Sequence, residues 1–455
     1  MNTDRHPTDI TAYLAARALA VTPTSLPPDT LAIARQSLLD WWTLVIAARQ
    51  GRDVARLGAY YAAMGKRETQ ATLLGSGERS DLETAAMLNG VAGHLMDFDD
   101  AHLKSRVHPS VPLWPAILAY AEHARLPGRL VLAAFVAGVE VQSRLAAFMG
   151  ESHYKRGWHN TATFGSFGAT AAIGVLKGMD EETLRRAYGI VATMSGGMHK
   201  SFGTAAKPLQ VARAAANGLF AAGLAETGFN ATNAILDGEK SFPQLYADEF
   251  RHELLRANGD HWAVRDIVFK YHASCYGTQA PIDAALQLAA LKRSEVSQVR
   301  VYLEPQYMTV CNIQEPRTET EAKFSVRHTV ALALAGYDTA RSASFERQSI
   351  EDPEIQAWHR LITVHADDDL ARANARIERE DHSGSVSTCV VDASRPEADL
   401  DRQQARLQQK SRVLLDGAGF TPQQVSRFHE HIDGLGACPD FSVWMGDYRA
   451  WMAGA

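Results

Sequence analysis

The sequence predicts a mainly α-helical protein, a large all-α helical-bundle domain carrying a smaller α+β lid domain. Three observations lead to that expectation. From the start to about residue 260, apolar residues recur at helical spacing in alanine-rich runs. After about residue 264 the texture changes to short, β-branched, partly alternating stretches. From Leu400 the helical pattern returns. The expected organisation is therefore a helical domain over 1–263, an α+β insert over 264–399, and a return to the helical domain over 400–455.

The elements follow in order. "SDLETAAMLNGVAGHLMDF" opens with Ser80 and Glu83 in capping-box spacing, and Leu82, Ala85, Ala86, Leu88 and Leu95 then recur at helical intervals. "PSVPLWPAILAYAEHA" and "GRLVLAAFVAGVEVQSRLAAFMG" are apolar over most of their circumference, which predicts buried helices. "TATFGSFGATAAIGVLKG" lines Gly165, Gly168 and Gly174 along one face, where a second helix can approach closely. "KPLQVARAAANGLFAAGLAETG" begins with Pro208, tolerated in a first helical turn, and stops at Gly228. In the insert, "VSQVRVYLEP", "RLITVHADDD", "ARANARIERED" and "SGSVSTCVVDAS" read as strands, with "GTQAPIDAALQLAALKR" and "EAKFSVRHTVALALAG" as helices. "DRQQARLQQKSRVLLDG" resumes the bundle, and Thr421-Pro422 starts a last helix.

Composition excludes several classes of function. A chain of 455 residues exceeds one compact core, and a 46% hydrophobic, 22% charged composition is that of an ordinary globular protein. A net charge of −6 offers no global attraction to nucleic acid or to an anionic membrane. The four cysteines, Cys275, Cys311, Cys389 and Cys438, form no C-x-x-C pair, which argues against a zinc or redox framework and fits a reducing cytoplasm. The N-terminus lacks the apolar core of a signal peptide. No apolar run is expected to approach the ~20 residues that span a bilayer. The expectation is a cytoplasmic protein with neither nucleic-acid nor membrane partner.

Chemistry concentrates in "GHLMDFDDAHLKSRVHP", where Asp97, Asp99 and Asp100 stand among His94, His102 and His108, with Lys104 and Arg106 between them. An EF-hand starting at Asp97 lacks its central glycine and has His108 in place of the bidentate glutamate. There is no His-Asp dipeptide and no H-E-x-x-H, so no metal site is expected. "HKSFG" around Ser201 fails as a nucleophile elbow because His199 occupies a required glycine position. "GSFGATAAIG" lacks the spacing of a phosphate cradle and follows no strand. Two further polar clusters remain. "SHYKRGWHNTATFG" supplies Tyr154, Lys155, Arg156 and His159 ahead of a helix, and "GGMHKSFGTAAKP" supplies His199, Lys200 and Lys207 ahead of the helix that Pro208 opens. A lysine beside a helix N-terminus suits a carboxylate ligand, so these connectors point to a small anion.

Four stretches in order, "GHLMDFDDAHLKSRVHPS", "RGWHNTATFG", "SFGTAAKPLQVARAAANG" and "FKYHASCYGTQAPIDAAL", closely resemble the MmgE/PrpD superfamily over nearly the whole chain. That superfamily includes 2-methylcitrate dehydratase, cis-aconitate decarboxylase and iminodisuccinate epimerase. The resemblance implies the MmgE/PrpD fold, a homodimer, a small di- or tricarboxylate substrate, and a pocket between domains that works without metal or organic cofactor. Carried over by position, it places Asp97, His108, His159 and Lys207 in the pocket as catalytic residues, with Tyr154. Lys207, His159, Lys104, Lys270, Gln279 and His328 would bind substrate. His328 falls where several relatives carry tyrosine. Ala101, Gln210 and Gln279 replace a threonine and two histidines of many relatives.

The reactions of the superfamily share one problem, forming or protonating a carbanion-like centre beside a carboxylate. On this expectation Lys207 and His159 stabilise the charge, Asp97 orients a histidine, His108 faces substrate, and Asp99 and Asp100 terminate the helix and anchor the loop. Tyr154 and Lys207 match positions suspected of working on opposite faces of the reacting carbon in the epimerase branch. Alanine donates no side-chain hydrogen bond and a glutamine amide no proton near neutral pH. The expected activity is therefore epimerisation or isomerisation of the iminodisuccinate type. The alternatives are a hydro-lyase like 2-methylcitrate dehydratase, a lyase like cis-aconitate decarboxylase, and a polycarboxylate-binding protein without turnover.

Overall fold

A computed structural model describes residues 9–65, 68–255, 261–290 and 292–454. Its contacts divide the chain into two units: one runs to Ile267 and resumes at Ala398, and the other is Val268–Glu397. The change of sequence texture placed those boundaries at 263/264 and 399/400.

The first unit is built from helices. Pro28–Ala47, Leu82–His94, Ser110–Ala124, Gly128–Phe148, Asn160–Lys177 and Ala206–Glu226 form its body, and Leu400–Gly417 packs back against Pro28–Ala47. Trp41, Trp114, Phe135, Phe164 and Phe167 are fully buried, and the Trp114 and Phe135 rings stack at 4.2 Å. Small residues set how closely the helices pack. A Cβ at Gly168 would lie 2.8 Å from the Gly138 carbonyl oxygen, and one at Gly165 would meet Pro112 at 2.6 Å. The glycine face of Asn160–Lys177 is therefore met by three neighbouring helices, since a Cβ at Gly174 would lie 2.8 Å from Leu184 of Glu181–Ala192.

Four local expectations need correction. Helix Leu82–His94 is capped by Asp81, whose carboxylate accepts from the Thr84 N–H at 3.0 Å. Ser80 is instead paired with Ala71 in a short antiparallel ladder, which holds it extended before the cap. Helix Gly128–Phe148 has 21 residues and a mean hydropathy of 1.5, long and apolar enough to cross a membrane, contrary to the expectation that no run would qualify. Because 89% of that apolar stretch is buried by protein, its hydrophobicity is that of a core helix. The helix that starts at Thr421-Pro422, Pro422–Asp433, is not the last, since Phe441–Ala453 follows it.

The second unit is a four-stranded sheet in the order Ile362–Ala366, Val296–Leu303, Asn374–Asp381, Val386–Asp392. The first pair is parallel and the others antiparallel. Helix Tyr276–Leu288 covers the last two strands. The helix expected over "EAKFSVRHTVALALAG" is two pieces, Glu319–Lys323 and Val326–Leu334, because the Ser325 hydroxyl accepts from the His328 N–H and starts the second one afresh.

Candidate active site

Helix Leu82–His94 ends where the chain reverses through Asp97, whose φ of 51° is left-handed, a conformation that aspartate tolerates better than most residues. The reversal delivers Asp97 to Lys207, with Nζ 2.6 Å from Oδ1. Lys207 lies inside the first turn of helix Ala206–Glu226, one residue after its start, rather than ahead of it. Phe202 lies against the ammonium at 5.3 Å. The expected arrangement, in which Asp97 orients a histidine, is therefore replaced by an ion pair.

The residue that orients histidines is Asp99. Fully buried, it accepts from His94 Nδ1 at 2.9 Å, and His108 Nδ1 lies 3.2 Å away. Burial works to raise the Asp99 carboxyl, but the two imidazoles and their hydrogen bonds outweigh it and hold it well below the usual range. Burial pushes His94 down to about 4, so its ring is neutral and donates to Asp99 through Nδ1–H. Asp100 goes the other way: burial, opposed by hydrogen bonds from Ser110 and reinforced by Asp40 and Asp99, lifts it to about 8. The site thus keeps one of two adjacent carboxyls charged and the other neutral at pH 7. Asp100 also anchors the loop, as expected, by accepting from the Ser110 N–H and hydroxyl at 3.1 and 2.7 Å.

His108 closes the same loop. Its Nδ1 lies 2.8 Å from the Asp100 carbonyl oxygen, which can only accept, so Nδ1 carries the proton and Nε2 is the acceptor of the neutral ring. Its backbone N–H donates to the Thr161 hydroxyl at 3.1 Å, tying the loop to helix Asn160–Lys177.

His159 is the residue before that helix and is 3% exposed. Its Nδ1 lies 3.2 Å from Gln210 Oε1, which also accepts the Met198 N–H at 2.9 Å. The Met198 bond identifies that Gln210 atom as oxygen, so His159 must donate through Nδ1 and offer Nε2 as acceptor. Burial first, then the Lys207 charge and the His94 and His108 rings, hold His159 well below its ordinary pKa. Only glycine fits beside this pair, because a Cβ at Gly197 would lie 2.8 Å from Gln210 Oε1 and 3.3 Å from His159 Cβ.

Tyr154 and Lys104 lie outside this cluster. Tyr154, in the short helix Ser152–Lys155, packs edge-on against His199 at 3.9 Å and under the Arg106 guanidinium. His199 packs on Phe202, and Phe202 on His159, so Tyr154 is two rings removed from His159. Lys104 is 70% exposed and pairs with Asp266 at 2.8 Å, and the structure does not bring it into the cluster. Lys270, Gln279 and His328 belong to the second unit. Lys270 is 2% exposed. Gln279 accepts from the Tyr271 and His272 N–H groups and donates to the His272 and Ser274 carbonyls. His328 Nδ1 lies 3.2 Å from His359 Nε2, and burial pushes it down to about 3.

Sequence reasoning missed His94 as a functional side chain, gave Asp99 only an anchoring role, and took Gln210 for a loss. A signal for the first existed, because His94 and Asp99 flank Asp97 in the same motif, but their spacing does not reveal which carboxylate faces inward. His94, Asp99 and His108 are also the described residues whose potential metal-ligating atoms lie within 4.8 Å of one another. The two histidine Nδ1 atoms face the Asp99 carboxylate at 2.9 and 3.2 Å.

The arrangement places one cation, Lys207, among imidazoles anchored through Nδ1. Against known proteins, the MmgE/PrpD N-terminal domain matches residues 12–255 and the MmgE/PrpD C-terminal domain residues 272–432. The chain belongs to the MmgE/PrpD family. Its relatives include human cis-aconitate decarboxylase, 30% identical over 289 residues, which are 60% of this chain and 59% of the human protein. The mouse cis-aconitate decarboxylase is 28% identical over 324 residues, 67% of this chain and 65% of that protein. The Aspergillus terreus cis-aconitate decarboxylase is 25% identical over 418 residues, 83% of this chain and 84% of that one. This chain thus aligns with about three fifths of the length of the human protein and with most of the fungal one.

Proposed function

We propose that this MmgE/PrpD member is a cofactor-independent lyase acting on a small di- or tricarboxylate, and that it decarboxylates a substrate of the cis-aconitate kind. The observation that carries the proposal is the Lys207–Asp97 pair beside His94, His108 and His159. Relatives named for cis-aconitate decarboxylation support the lyase branch.

A substrate carboxylate takes the place of Asp97 at Lys207. The C–C bond to a second carboxylate breaks, carbon dioxide leaves, and the electron pair spreads toward the carboxylate that Lys207 holds. A proton must then reach carbon. The incoming negative charge raises the proton affinity of the neighbouring imidazoles, so that His108 or His159 takes up a solvent proton on Nε2 and passes it to the carbon.

A second proposal, proton transfer without net bond cleavage to carbon dioxide, has one observation in its favour. Gln279 stands where a histidine assists other members, and its amide is fully engaged with its own turn. An epimerase of the iminodisuccinate type needs no such group.

Incubating the protein with cis-aconitate decides between them. Carbon dioxide and one equivalent of the decarboxylated acid support the lyase. Inert cis-aconitate, alongside deuterium entering the α-carbon of enantiopure iminodisuccinate in deuterium oxide, favours the epimerase. Brisk dehydration of 2-methylcitrate would make it a hydro-lyase, and binding of all three without turnover a polycarboxylate-binding protein. We also propose a homodimer, supported by Leu209 and Phe220, 41% and 54% exposed on helix Ala206–Glu226; sedimentation as a monomer would remove it.

A further inference from the structure

Of the three carboxylates in the motif, Asp99 is the one with two imidazoles on it, and the expected chemistry gives it no role. We propose that Asp99 and His94 are positioning residues for His108: Asp99 accepts from His94, its fixed charge beside Nδ1 stabilises the His108 imidazolium, and His94 keeps that charge in place. The proposal rests on His108 being an acid–base group in the proposed function.

Three features of the geometry support it. First, the Asp100 carbonyl already fixes the His108 tautomer, so Asp99 is not needed to choose the ring nitrogen. What it adds is a negative charge 3.2 Å from Nδ1, in a place where water does not screen it. Second, His94 donates to both Asp99 oxygens at 2.9 Å. A fully buried carboxylate deprived of its donor tends to take up a proton and lose its charge. The low pKa direction of Asp99 and the neutral state of Asp100 agree with a site arranged to hold a single carboxylate charge. Third, His94 Nε2 is buried with no hydrogen-bond partner, so the ring is held through one nitrogen only, by Asp99. A residue present solely to knit the core together would normally satisfy both nitrogens.

Among the described residues, the charged and titratable groups around His108 include Asp99, His94 and Asp100. His159 and Lys207 are also near, the latter paired with Asp97. Asp99 puts a carboxylate charge beside the His108 ring.

The test uses the full-length protein with 15N-labelled histidine. The His108 resonance, assigned by its loss in His108→Gln, is titrated in the wild type and in Asp99→Asn, His94→Asn and His94→Leu, alongside kcat against pH. In Asp99→Asn the His108 midpoint should fall by about one pH unit or more, and kcat by about a hundredfold. His94→Asn places an amide N–H where Nδ1–H was and should stay within a few-fold of wild type, with an unmoved midpoint. His94→Leu should follow Asp99→Asn. Near-UV circular dichroism screens each variant for folding, and the His94→Asn and His94→Leu comparison stands if Asp99→Asn does not fold. An unmoved His108 midpoint in folded Asp99→Asn overturns the proposal, as does wild-type behaviour in His94→Leu. One zinc per chain, bound by these three residues and required for activity, would also overturn it. If the wild type turns over no carboxylate, the proposed function fails while the titration still decides this inference.

Discussion

Gln210 sets the tautomer of His159. Its Oε1 accepts the Met198 N–H at 2.9 Å and faces His159 Nδ1 at 3.2 Å, leaving Nε2 of the histidine as the proton acceptor. Gln210, which the family resemblance marked as a replaced histidine, thus anchors the His159 ring.

Replacing Gln210 by leucine should release that ring. We expect kcat to fall by about ten- to a hundredfold in Gln210→Leu with a smaller change in KM, because orientation rather than binding is lost. Gln210→Glu keeps an acceptor for both N–H groups and should recover most of the rate. Steady-state kinetics on the substrate identified for the wild type makes the comparison, and equal losses in both variants would refute the tautomer argument.

Lys207→Met should leave a folded protein with kcat/KM reduced about a thousandfold, since it removes the cation that faces the developing charge. The Lys207–Asp97 pair is partly solvated, with side chains 16% and 36% exposed, so the stability cost should stay near or below about 1 kcal/mol. Kinetics and thermal unfolding together check this. Near-normal turnover in a folded Lys207→Met protein would remove Lys207 from the mechanism.

Stability should peak near pH 6.5. His94, His102, His153, His359, His429 and His431 are each pushed down by burial to about 4 from 6.5. Their folded pKa values are depressed, so between pH 6.5 and about 4 the unfolded chain binds more protons. The stability they contribute is present above 6.5 and lost as the pH falls. Asp100 has the opposite sign. Raised by burial to about 8 from 3.8, it contributes stability below 3.8 that is lost as the pH rises through 8. Six sites against one make the acid side the steeper. Denaturant midpoints measured from pH 4 to 9 should trace that shape, and a flat profile from 6.5 down to 4 would show that these rings are not buried neutral.

Lys410 reaches the aspartate loop from the C-terminal segment. Its Nζ pairs with Asp40 at 2.6 Å and donates to the Phe98 carbonyl at 2.7 Å, with both side chains almost wholly buried. Lys410→Met leaves the Asp40 carboxylate buried without that cation and should cost about 3–5 kcal/mol, read from chemical denaturation. Asp40→Leu combined with Lys410→Met should recover much of it, because no buried charge is then left behind. If the double variant is no more stable than the single one, the loss comes from the Phe98 carbonyl instead.

The sequence by itself determined the helical class, the interruption by strands and the family motifs, because each is written in local periodicity or in contiguous residues. The strands at Val296–Leu303, Ile362–Ala366, Asn374–Asp381 and Val386–Asp392 all fall inside stretches legible as β. Lys207, His159, His108 and Asp97 were legible as polar residues in connectors between apolar helices. Their partners were not. Asp97 and Asp99 are two residues apart in one motif, yet one faces Lys207 and the other is sealed against two histidines. The left-handed turn at Asp97 sends successive carboxylates in different directions, and nothing in the spacing records that turn. In the same way, Gln210 becomes an anchor only because Gly197 lets the Met198 loop close onto it, and Lys410 joins the loop from more than three hundred residues away, at Phe98. Local pattern determines which side chains are available. Which proton sits on which nitrogen depends on distances between helices, and only the tertiary packing sets those.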